Sequence, residues 1–427
     1  MARSTFTRVL ALTGALALGL AGCSGTDPGT DEPDDQAEPS GTLTMTWQST
    51  EMQAMQPVID AFEQAYPAVT VEVTEASIEQ YFATLPTQLS SNQAPDVFLS
   101  WAGFGNAVAQ RELSQFGYLT DLSDQEWVAE VPEGVLAAIQ DAEGNVVVMP
   151  TSQIAFTAWY NQDALDAVGL SAPTTFDELL QFCADARSAG TVAYASGAGT
   201  VSNNSRGFQL NLGDFVDGTV ADLIAPIEAG EETFSDNSAY QGAMGRYQEM
   251  IEADCMPDDP VSFDNEADIN MFATGEVLGT FAGSNLKGAW LGVNPEGNFV
   301  VQPPTEKIVL YPNKGVAVNS QAENMGAALA FAAFIGQPEN RALYAEGLAG
   351  ALPGVPTGDP LEDPSLQLIA DLQDEGNAIG FPQQYLSDPQ FDGNLNASIQ
   401  AMYLGTSTAQ DVLAALDAQQ SDWLASQ

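Results

Sequence analysis

The stretch "GTLTMTWQSTEMQAMQPVIDAFEQAYPAVTVEV", residues 41–73, decides the fold of this chain. It opens on a β-rich run (41–47), continues with apolar residues at helical spacing, and ends on a second β-rich run (69–73). A third strand is predicted in "PDVFLSW", residues 95–101. Strands that alternate with helices favour a sheet that carries helices on both faces. We therefore predict an α/β fold with a mostly parallel sheet.

The first 23 residues are typical of an exported protein. Arg3 and Arg8 precede an apolar segment, 9–22, which is shorter than the roughly 20 residues that a membrane-spanning helix needs. This segment leads into "LAGC" (20–23), which resembles the bacterial lipobox, the motif whose cysteine is lipidated. We expect a signal peptide over 1–22 and lipidation of Cys23, so that the protein is extracytoplasmic and lipid-anchored to the outer face of the cell membrane.

The segment that follows, 23–41, is rich in acidic residues, proline and glycine. It offers too little apolar surface to form a core, so we predict a disordered tether. The remaining residues, 42–427, exceed the roughly 250–300 residues at which a single core stops growing, which favours two domains or lobes.

The charge and the missing histidines exclude several functions. The chain has 10 basic and 58 acidic residues and a formal net charge of −48, which excludes nucleic acid as a partner. It has no histidine, which excludes Ser-His-Asp and Cys-His catalysis and removes the commonest transition-metal ligand. We expect no cofactor, no metal site and no catalytic residue.

Two cysteines besides Cys23 are present, Cys183 and Cys255. An exported chain matures in a compartment that permits disulfides, so we predict that the two cysteines pair. The alternative is a pair of buried free thiols.

Local patterns predict further elements along the chain. We expect a strand in "GNVVVMP" (144–150), a strand that passes into a helix in "AFTAWYNQDALDAVGL" (155–170), and a helix capped by Thr174 or Thr175. The stretch "SGAGTVSNNSRGF" (196–208) is predicted to be an extended polar loop.

Eight segments carry a resemblance to a known family. In chain order they are "AFEQAYPAVTVEV" (61–73), "APDVFLSW" (94–101), "YLTDL" (118–122), "WYNQDALDAVGL" (159–170), "PTTFDELL" (173–180), "MFATGEVLGTFAGSN" (271–285), "KGVAVNSQAENMGAALAFAAFI" (314–335) and "GALPGVPT" (350–357). Together they resemble the family 1 extracellular solute-binding proteins of ATP-binding-cassette importers, in the carbohydrate-binding group similar to maltose-binding protein.

This resemblance implies a two-lobed, type II periplasmic-binding-protein-like fold, with a ligand cleft between lobes that a multi-strand hinge joins. The chain would cross between the lobes near 152–156, 310–315 and 358–364. The N-lobe would then comprise 42–152 and 316–358, and the C-lobe 153–315 and 359–427.

A sugar has an apolar face and a rim of hydroxyls, so its site needs aromatic platforms and hydrogen-bonding groups. In open α/β sheets such sites lie at the carboxyl ends of strands. Partly from this rule and partly from the resemblance, the predicted ligand-binding residues are Trp47, Ser49, Glu51, Ser100, Trp101, Gln153, Trp159, Asn204, Ser284, Asn285 and Tyr385.

Structural roles compete with several of these predictions. Trp47 and Trp101 could pack in the core, and Glu51 could interact with a helix dipole. Trp159 alternates with Tyr160 along a strand, so one of the two should face the ligand. Asn285 stands where the family often has an aromatic residue, which favours a smaller or differently shaped ligand than a maltodextrin.

The resemblance therefore implies a substrate-binding lipoprotein, not an enzyme, which we expect to be a monomer. It would capture a neutral mono- or oligosaccharide by hinge closure and deliver it to membrane permease subunits. Three alternatives stay open: the same fold binding a cationic solute such as a polyamine, an anchored glycoside hydrolase that uses two carboxylates, and a structural or adhesive lipoprotein.

Overall fold

The computed structural model describes residues 38–427. The predicted signal peptide, Cys23 and most of the predicted tether lie outside the described residues. The strands are β1 Gly41–Gln48, β2 Val69–Ala76, β3 Val97–Trp101, β4 Met149–Asn161, β5 Val192–Ala195, β6 Val277–Gly283, β7 Phe299–Val301, β8 Ile308–Val318, β9 Leu352–Pro353 and β10 Ala378–Ile379.

The α-helices alternate with these strands along the chain and pack against them. They are α1 Met52–Ala65, α2 Ile78–Ser90, α3 Gln110–Ser114, α4 Glu133–Ile139, α5 Gln162–Val168, α6 Phe176–Ser188, α7 Arg206–Leu212, α8 Val220–Glu228, α9 Ser238–Glu252, α10 Asn265–Thr274, α11 Lys287–Val293, α12 Met325–Ile335, α13 Pro338–Glu346, α14 Pro364–Asp374, α15 Phe391–Tyr403 and α16 Ala409–Ser426. Among these helices, none has both the length and the apolar content that a bilayer-crossing segment requires.

The opening β-α-β unit forms as its sequence predicts. β1 pairs with β2 in parallel over eight residues, from Gly41 opposite Val69 to Gln48 opposite Ala76. Between them, α1 buries residues at helical spacing, including Val58, Ile59 and Phe62. These side chains place one face of α1 on the sheet, because residues three and four apart share a face of a helix.

The sheet has the order β2-β1-β3-β8-β4-β6-β5, so the chain is α/β, but the prediction of a mostly parallel sheet is wrong. β3 pairs with β8, β8 with β4, and β4 with β6, all antiparallel. The reason is that β4 and β8 are long strands that run in opposite directions through the middle of the sheet. The parallel pairs β1–β2, β1–β3 and β5–β6 lie toward its two ends.

The hydrophobic side chains form a core on either side of this middle pair. The N-terminal core draws on residues between 43 and 149 and between 316 and 355. The C-terminal core draws on residues between 155 and 310 and between 366 and 416, together with Leu352. β4 and β8 contribute to both cores, which makes them the structural link between the two halves. The exact lobe boundaries stay a prediction.

Two local predictions are corrected by the structure. The strand predicted over 144–150 begins only at Met149, because Asp141 accepts hydrogen bonds from the backbone of Glu143 and Asn145 and holds a turn there. The predicted loop 196–208 becomes helical at Arg206, where α7 begins. Six of the seven residues of α7 are buried, and Arg206 is partly exposed.

The predicted disulfide between Cys183 and Cys255 is present. Cys183 lies on α6, whose N-cap is Thr175, and Cys255 follows α9. The bridge joins residues 72 positions apart and is fully buried in the C-terminal core. It therefore ties two helices of the same core together.

Candidate ligand-binding site

A cavity of about 220 Å³ lies where the two cores meet at the middle of the sheet. Three chain segments surround it: the loop after β3, the middle of β8, and the segment that leads into α15. The lining residues are Trp101, Ala102, Phe104, Gly105, Asn106, Tyr311, Asn313, Phe381, Gln383, Gln384 and Asp392. We call this space the interlobe cavity.

Aromatic rings form one wall of the interlobe cavity. The rings of Tyr311 and Phe381 stack with centroids 4.6 Å apart and an interplanar angle of 20°. Phe156, on β4, lies outside the lining and stacks behind Tyr311 at 6.0 Å and 13°. All three rings are partly exposed. Such parallel, offset rings present flat apolar surface, which is what the ring face of a sugar requires.

Two buried glutamines supply unsatisfied acceptors at the cavity. Gln384 donates its amide to the Pro312 carbonyl at 2.8 Å, and Gln383 donates to Asp392 at 3.4 Å. Both side chains are more than nine-tenths buried, and their Oε1 atoms have no hydrogen-bond partner among the residues that the structure describes. A buried acceptor without a partner costs free energy, and a donor from water or from a ligand that reaches it after a local rearrangement offsets that cost.

A glycine allows the two halves to meet at the cavity edge. The Phe104 N–H donates to the Gln384 carbonyl at 3.1 Å, which joins the loop after β3 to the segment before α15. Gly103 has a φ of +70°, and a Cβ there would stand 2.5 Å from that same carbonyl oxygen. Both the backbone conformation and the close approach therefore require glycine.

A buried polar cluster lies behind Trp101, at the carboxyl end of β1. Lys314 on β8 pairs with the Glu51 carboxylate, and its Nζ lies 2.5 Å from Gln48 Oε1. Tyr344 donates to the other Glu51 oxygen at 2.9 Å. Burial, and then the neighbouring Glu51, raise the pKa of Tyr344 well above its ordinary value. The predicted ligand residue Glu51 thus has its charge balanced within the protein.

A second polar cluster lies in the C-terminal core. Arg206 pairs with Asp268 at 3.1 Å, and Asp268 also accepts from Thr280 at 3.2 Å. Burial raises the pKa of the Asp268 carboxyl, and Arg206 opposes that rise. The predicted ligand residue Asn204 is buried beside this cluster, where its amide donates to the Asn396 carbonyl at 3.1 Å and so attaches α15.

Of the predicted ligand residues, Trp101 lines the interlobe cavity. Tyr385 directly follows the lining Gln384 and packs against both cores. Burial raises the pKa of Tyr385 to about 12, and Arg111 opposes that rise. These two residues are the ones that the structure brings to the cavity or its border.

Other predicted ligand residues have structural partners. Trp47 and Trp159 are fully buried, where they pack against Tyr344 and Trp290 respectively. The Ser100 hydroxyl donates to the Val108 carbonyl at 2.9 Å. The Ser284 hydroxyl accepts from the Ala155 N–H at 3.2 Å. Contact between any of these four side chains and a ligand stays a prediction.

The remaining predicted residues lie away from the cavity lining. Gln153 contacts Gln373 and the Pro353 carbonyl and borders a separate cavity of about 190 Å³. Ser49 and Asn285 are exposed. Their roles in binding also stay predictions.

Sequence reasoning missed most of the cavity wall. Tyr311 and Asn313 lie in the predicted crossing 310–315, and Phe381 and Gln383 lie four and two residues before Tyr385. Both segments had therefore been located, but nothing in their spacing shows which side chains face the cavity. In residues 38–427, no three His, Cys, Asp or Glu side chains are grouped so that they could hold a metal ion.

A two-lobed α/β protein with a cavity between its lobes is organised as a ligand-binding protein. Residues 46–342 match the family model of the bacterial extracellular solute-binding proteins. The chain belongs to this family, as the resemblance in its sequence predicted.

Related structures confirm the two-lobed fold. A family 1 extracellular solute-binding protein from Bifidobacterium longum subsp. infantis has a TM-score of 0.74 at 21% identity, over 90% of this chain and 100% of that one. A sugar transporter protein from Bacillus licheniformis, in complex with stachyose, has a TM-score of 0.64 at 20% identity, over 90% and 100%.

A relative by sequence is an uncharacterised ABC transporter extracellular-binding protein of Pyrococcus horikoshii. It is 26% identical over 180 residues, which are 40% of this chain and 41% of that protein. The match thus spans less than half of that relative's length.

Proposed function

We propose that this protein captures a neutral saccharide in the interlobe cavity and delivers it to the permease of an ATP-binding-cassette importer. The observation that carries the proposal is the pairing of stacked aromatic rings with unpartnered, buried amide oxygens at one cavity. Aromatic faces and hydrogen-bond acceptors are the two features that a ring rimmed by hydroxyls requires. The stachyose bound to the Bacillus licheniformis protein supports the same ligand class.

The size of the cavity favours a small ligand or a single ring of a longer one. Its volume of about 220 Å³ is below the roughly 300–1,000 Å³ that is usual for small-molecule pockets. We therefore propose a monosaccharide, or the terminal residue of an oligosaccharide that extends out of the cleft.

The charge distribution favours a neutral ligand over a polyamine. Asp392 is the one acidic residue among the lining residues that the structure describes. Glu51, whose carboxylate the cationic alternative would use, is paired with Lys314. A polycation would need several uncompensated carboxylates to offset its loss of hydration.

The same observation argues against a glycoside hydrolase. That chemistry uses two carboxyl groups that flank the scissile bond. The described lining of the interlobe cavity has a single carboxylate, that of Asp392. We propose that the ligand leaves the protein chemically unchanged.

Capture would proceed by closure of the lobes about β4 and β8, which extend from one core into the other. A ligand shifts a conformational equilibrium only when it binds one state more tightly. A ligand in the interlobe cavity would meet this condition by contacting both halves, because Trp101 comes from the N-terminal half while Phe381 and Gln383 come from the C-terminal half. Lipidation of Cys23 would keep the closed protein beside the permease.

A thermal-unfolding screen of the purified protein tests the proposal, with mono- and oligosaccharides as ligands and polyamines and amino acids as comparison groups. A ligand at 100 times its dissociation constant should add about 2.7 kcal/mol to the free energy of unfolding. We expect stabilisation by one saccharide group. Stabilisation by polyamines alone would replace the saccharide with a cation, and turnover of a chromogenic glycoside would make the protein an enzyme.

Two variants connect the result to the cavity. Phe381→Ala removes one of the stacked rings and should weaken saccharide binding by about tenfold, since an aromatic contact contributes on the order of 1 kcal/mol or more. Phe116→Ala is the matched control, because Phe116 is 67% exposed and stacks on Tyr118 outside the cavity lining. Equal affinity in both variants would mean that the ligand binds elsewhere.

A further inference from the structure

We infer that Lys314 is a positioning residue that fixes the indole of Trp101 at the wall of the interlobe cavity. The inference rests on the proposed function, because Trp101 matters for binding only if the cavity takes the ligand. It assigns a role to a lysine on β8, one of the two strands that link the halves.

The contacts of Lys314 hold its ammonium group in one position. Its ammonium lies 4.9 Å from the centroid of the Trp101 ring, within the range of a cation–π interaction. The same ammonium is held by Glu51 and by Gln48, and the residue is only 8% exposed. These two partners fix the charge, so the charge in turn restricts where the indole can lie.

The backbone register brings the two residues together. Trp101 is the last residue of β3 and pairs with Lys314 on the antiparallel β8. Beyond Trp101 the chain enters the loop that lines the cavity, where a strand no longer holds the ring. The indole also contacts two aromatic rings. Its centroid lies 5.0 Å from that of Phe82 and 5.9 Å from that of Tyr81, and both rings are tilted relative to the indole plane.

The position of Lys314 links the ring to the hinge. Lys314 lies on β8, the strand that also carries Tyr311 and Asn313 at the cavity. Glu51 is attached in turn to Tyr344 on α13. A displacement of β8 relative to the N-terminal core would therefore move the ammonium that fixes Trp101.

The chain offers a matched control in a second, partly buried lysine. Lys287 pairs with Asp363 and lies 5.6 Å from the centroid of the Trp159 ring, so its environment repeats the carboxylate and indole of Lys314. Trp159 is fully buried, however, and neither it nor Lys287 lines the interlobe cavity. A purely structural loss should therefore appear in both lysine variants, whereas a loss of positioning should appear only at Lys314.

The experiment compares Lys314→Ala with Lys287→Ala in the purified protein. The measurements are saccharide affinity by calorimetry, the melting temperature, and the emission of Trp101, taken as the difference from the same protein with Trp101→Phe. We expect Lys314→Ala to lose about tenfold in affinity and to shift the Trp101 emission. Lys287→Ala should lower the melting temperature while it keeps the affinity.

Chemical rescue sharpens the test. Methylammonium chloride can supply the missing ammonium to the space left in Lys314→Ala, and should restore both the emission and the affinity, whereas sodium chloride at the same ionic strength should not. If Lys314→Ala fails to fold, the double variant Lys314→Met with Glu51→Gln removes both charges together and should show the same loss of affinity without leaving a lone buried carboxylate.

Unchanged affinity and emission in the folded Lys314 variant, or an equal loss of affinity in Lys287→Ala, would overturn the inference. If the wild-type protein binds no saccharide, the proposed function fails. The emission and its rescue by methylammonium then still decide whether Lys314 positions Trp101.

Discussion

At the scale of single residues, the interlobe cavity depends on close contacts more than on exposed side chains. Gly103 lets the loop after β3 approach the Gln384 backbone, and Gln384 then donates to the carbonyls of both Ala102 and Pro312. One short segment is therefore bonded to the loop of one half and to the hinge strand. The cavity wall is accordingly sensitive to small changes in volume.

Gly103→Ala should both destabilise the protein and weaken ligand binding. Its φ of +70° and a Cβ only 2.5 Å from the Gln384 carbonyl oxygen predict a loss of about 2–4 kcal/mol in the free energy of unfolding, from backbone strain plus a forced shift. Gly105→Ala is the control, because Gly105 has a φ of +111° but no atom within 4 Å of the added Cβ. Urea unfolding should show the smaller loss for Gly105→Ala, and equal losses would mean that crowding at Gln384 has no effect.

Asp392→Asn distinguishes the two ligand classes that the cavity could accept. Asp392 is exposed and accepts from Gln383 and Asn396 on one oxygen, so an amide of the same shape keeps that acceptor while it removes the charge. A neutral saccharide should lose less than about tenfold in affinity, and its affinity should depend little on salt. Titrations at low and high ionic strength measure this. If Asp392→Asn loses much more affinity than this, and high salt causes a similar loss of affinity in the wild-type protein, the ligand is a cation.

At the scale of elements, several features could be predicted because they depend on neighbours in sequence. The opening β-α-β unit, the Thr175 cap of α6 and the terminal glycine of α5, Gly169, all rest on local spacing and capping. α7 was missed because a polar run, 202–205, leads directly into it, while its burial comes from packing against α9. The prediction of a mostly parallel sheet was wrong because the direction of β8 depends on a crossing between segments that are distant in sequence.

The same distinction explains the candidate site. Trp101 could be found because it ends a strand. The stack of Tyr311 on Phe381 joins residues that are 70 positions apart, and no local pattern predicts that contact. Trp47 and Trp159 follow the same sequence rule as Trp101, yet packing from α13 and α11 covers them. Tertiary packing therefore decides which aromatic residue is available to a ligand.

Removal of the disulfide should cost mainly global stability. It closes a loop over a sequence separation of 72, which predicts a loss of about 4 kcal/mol in the chain-entropy model. The double variant Cys183→Ala with Cys255→Ala should show this loss in urea unfolding, with saccharide affinity retained, because neither cysteine lines the interlobe cavity. Reduced saccharide affinity in a fully folded double variant would show that the disulfide also shapes the interlobe cavity.

The buried tyrosines of the C-terminal core predict a limit of stability at alkaline pH. Burial raises the pKa of Tyr247 to about 12, against an unfolded value near 10. A raised folded pKa contributes stability that is complete below pH 10 and is lost as the pH rises through 12. The melting temperature should therefore fall over this interval, and less steeply in Tyr247→Phe. An identical pH profile in that variant would exclude Tyr247 as a source of the effect.

At the scale of the whole molecule, the few basic residues are all used internally. Ten less Arg3 and Arg8 leaves eight in residues 38–427. Six of these form ion pairs, and Arg111 and Lys307 donate to the carbonyls of Ala137 and Val216. Most of the acidic side chains in the described residues therefore have no basic partner.

This arrangement predicts that sodium chloride stabilises the protein. The chain has a net charge of −48, so its acidic side chains repel one another. Raising the salt from 0.1 to 1 M shortens the screening length from about 10 to about 3 Å. Screening should also weaken the ion pairs, but four of the six have a cation at most 13% exposed, which limits that loss. We expect the melting temperature to rise by several degrees, with sucrose as a control for solvent exclusion. A melting temperature that falls with salt would mean that the internal ion pairs outweigh the repulsion between surface carboxylates. The few cations, not the screened surface, would then determine the stability of the fold.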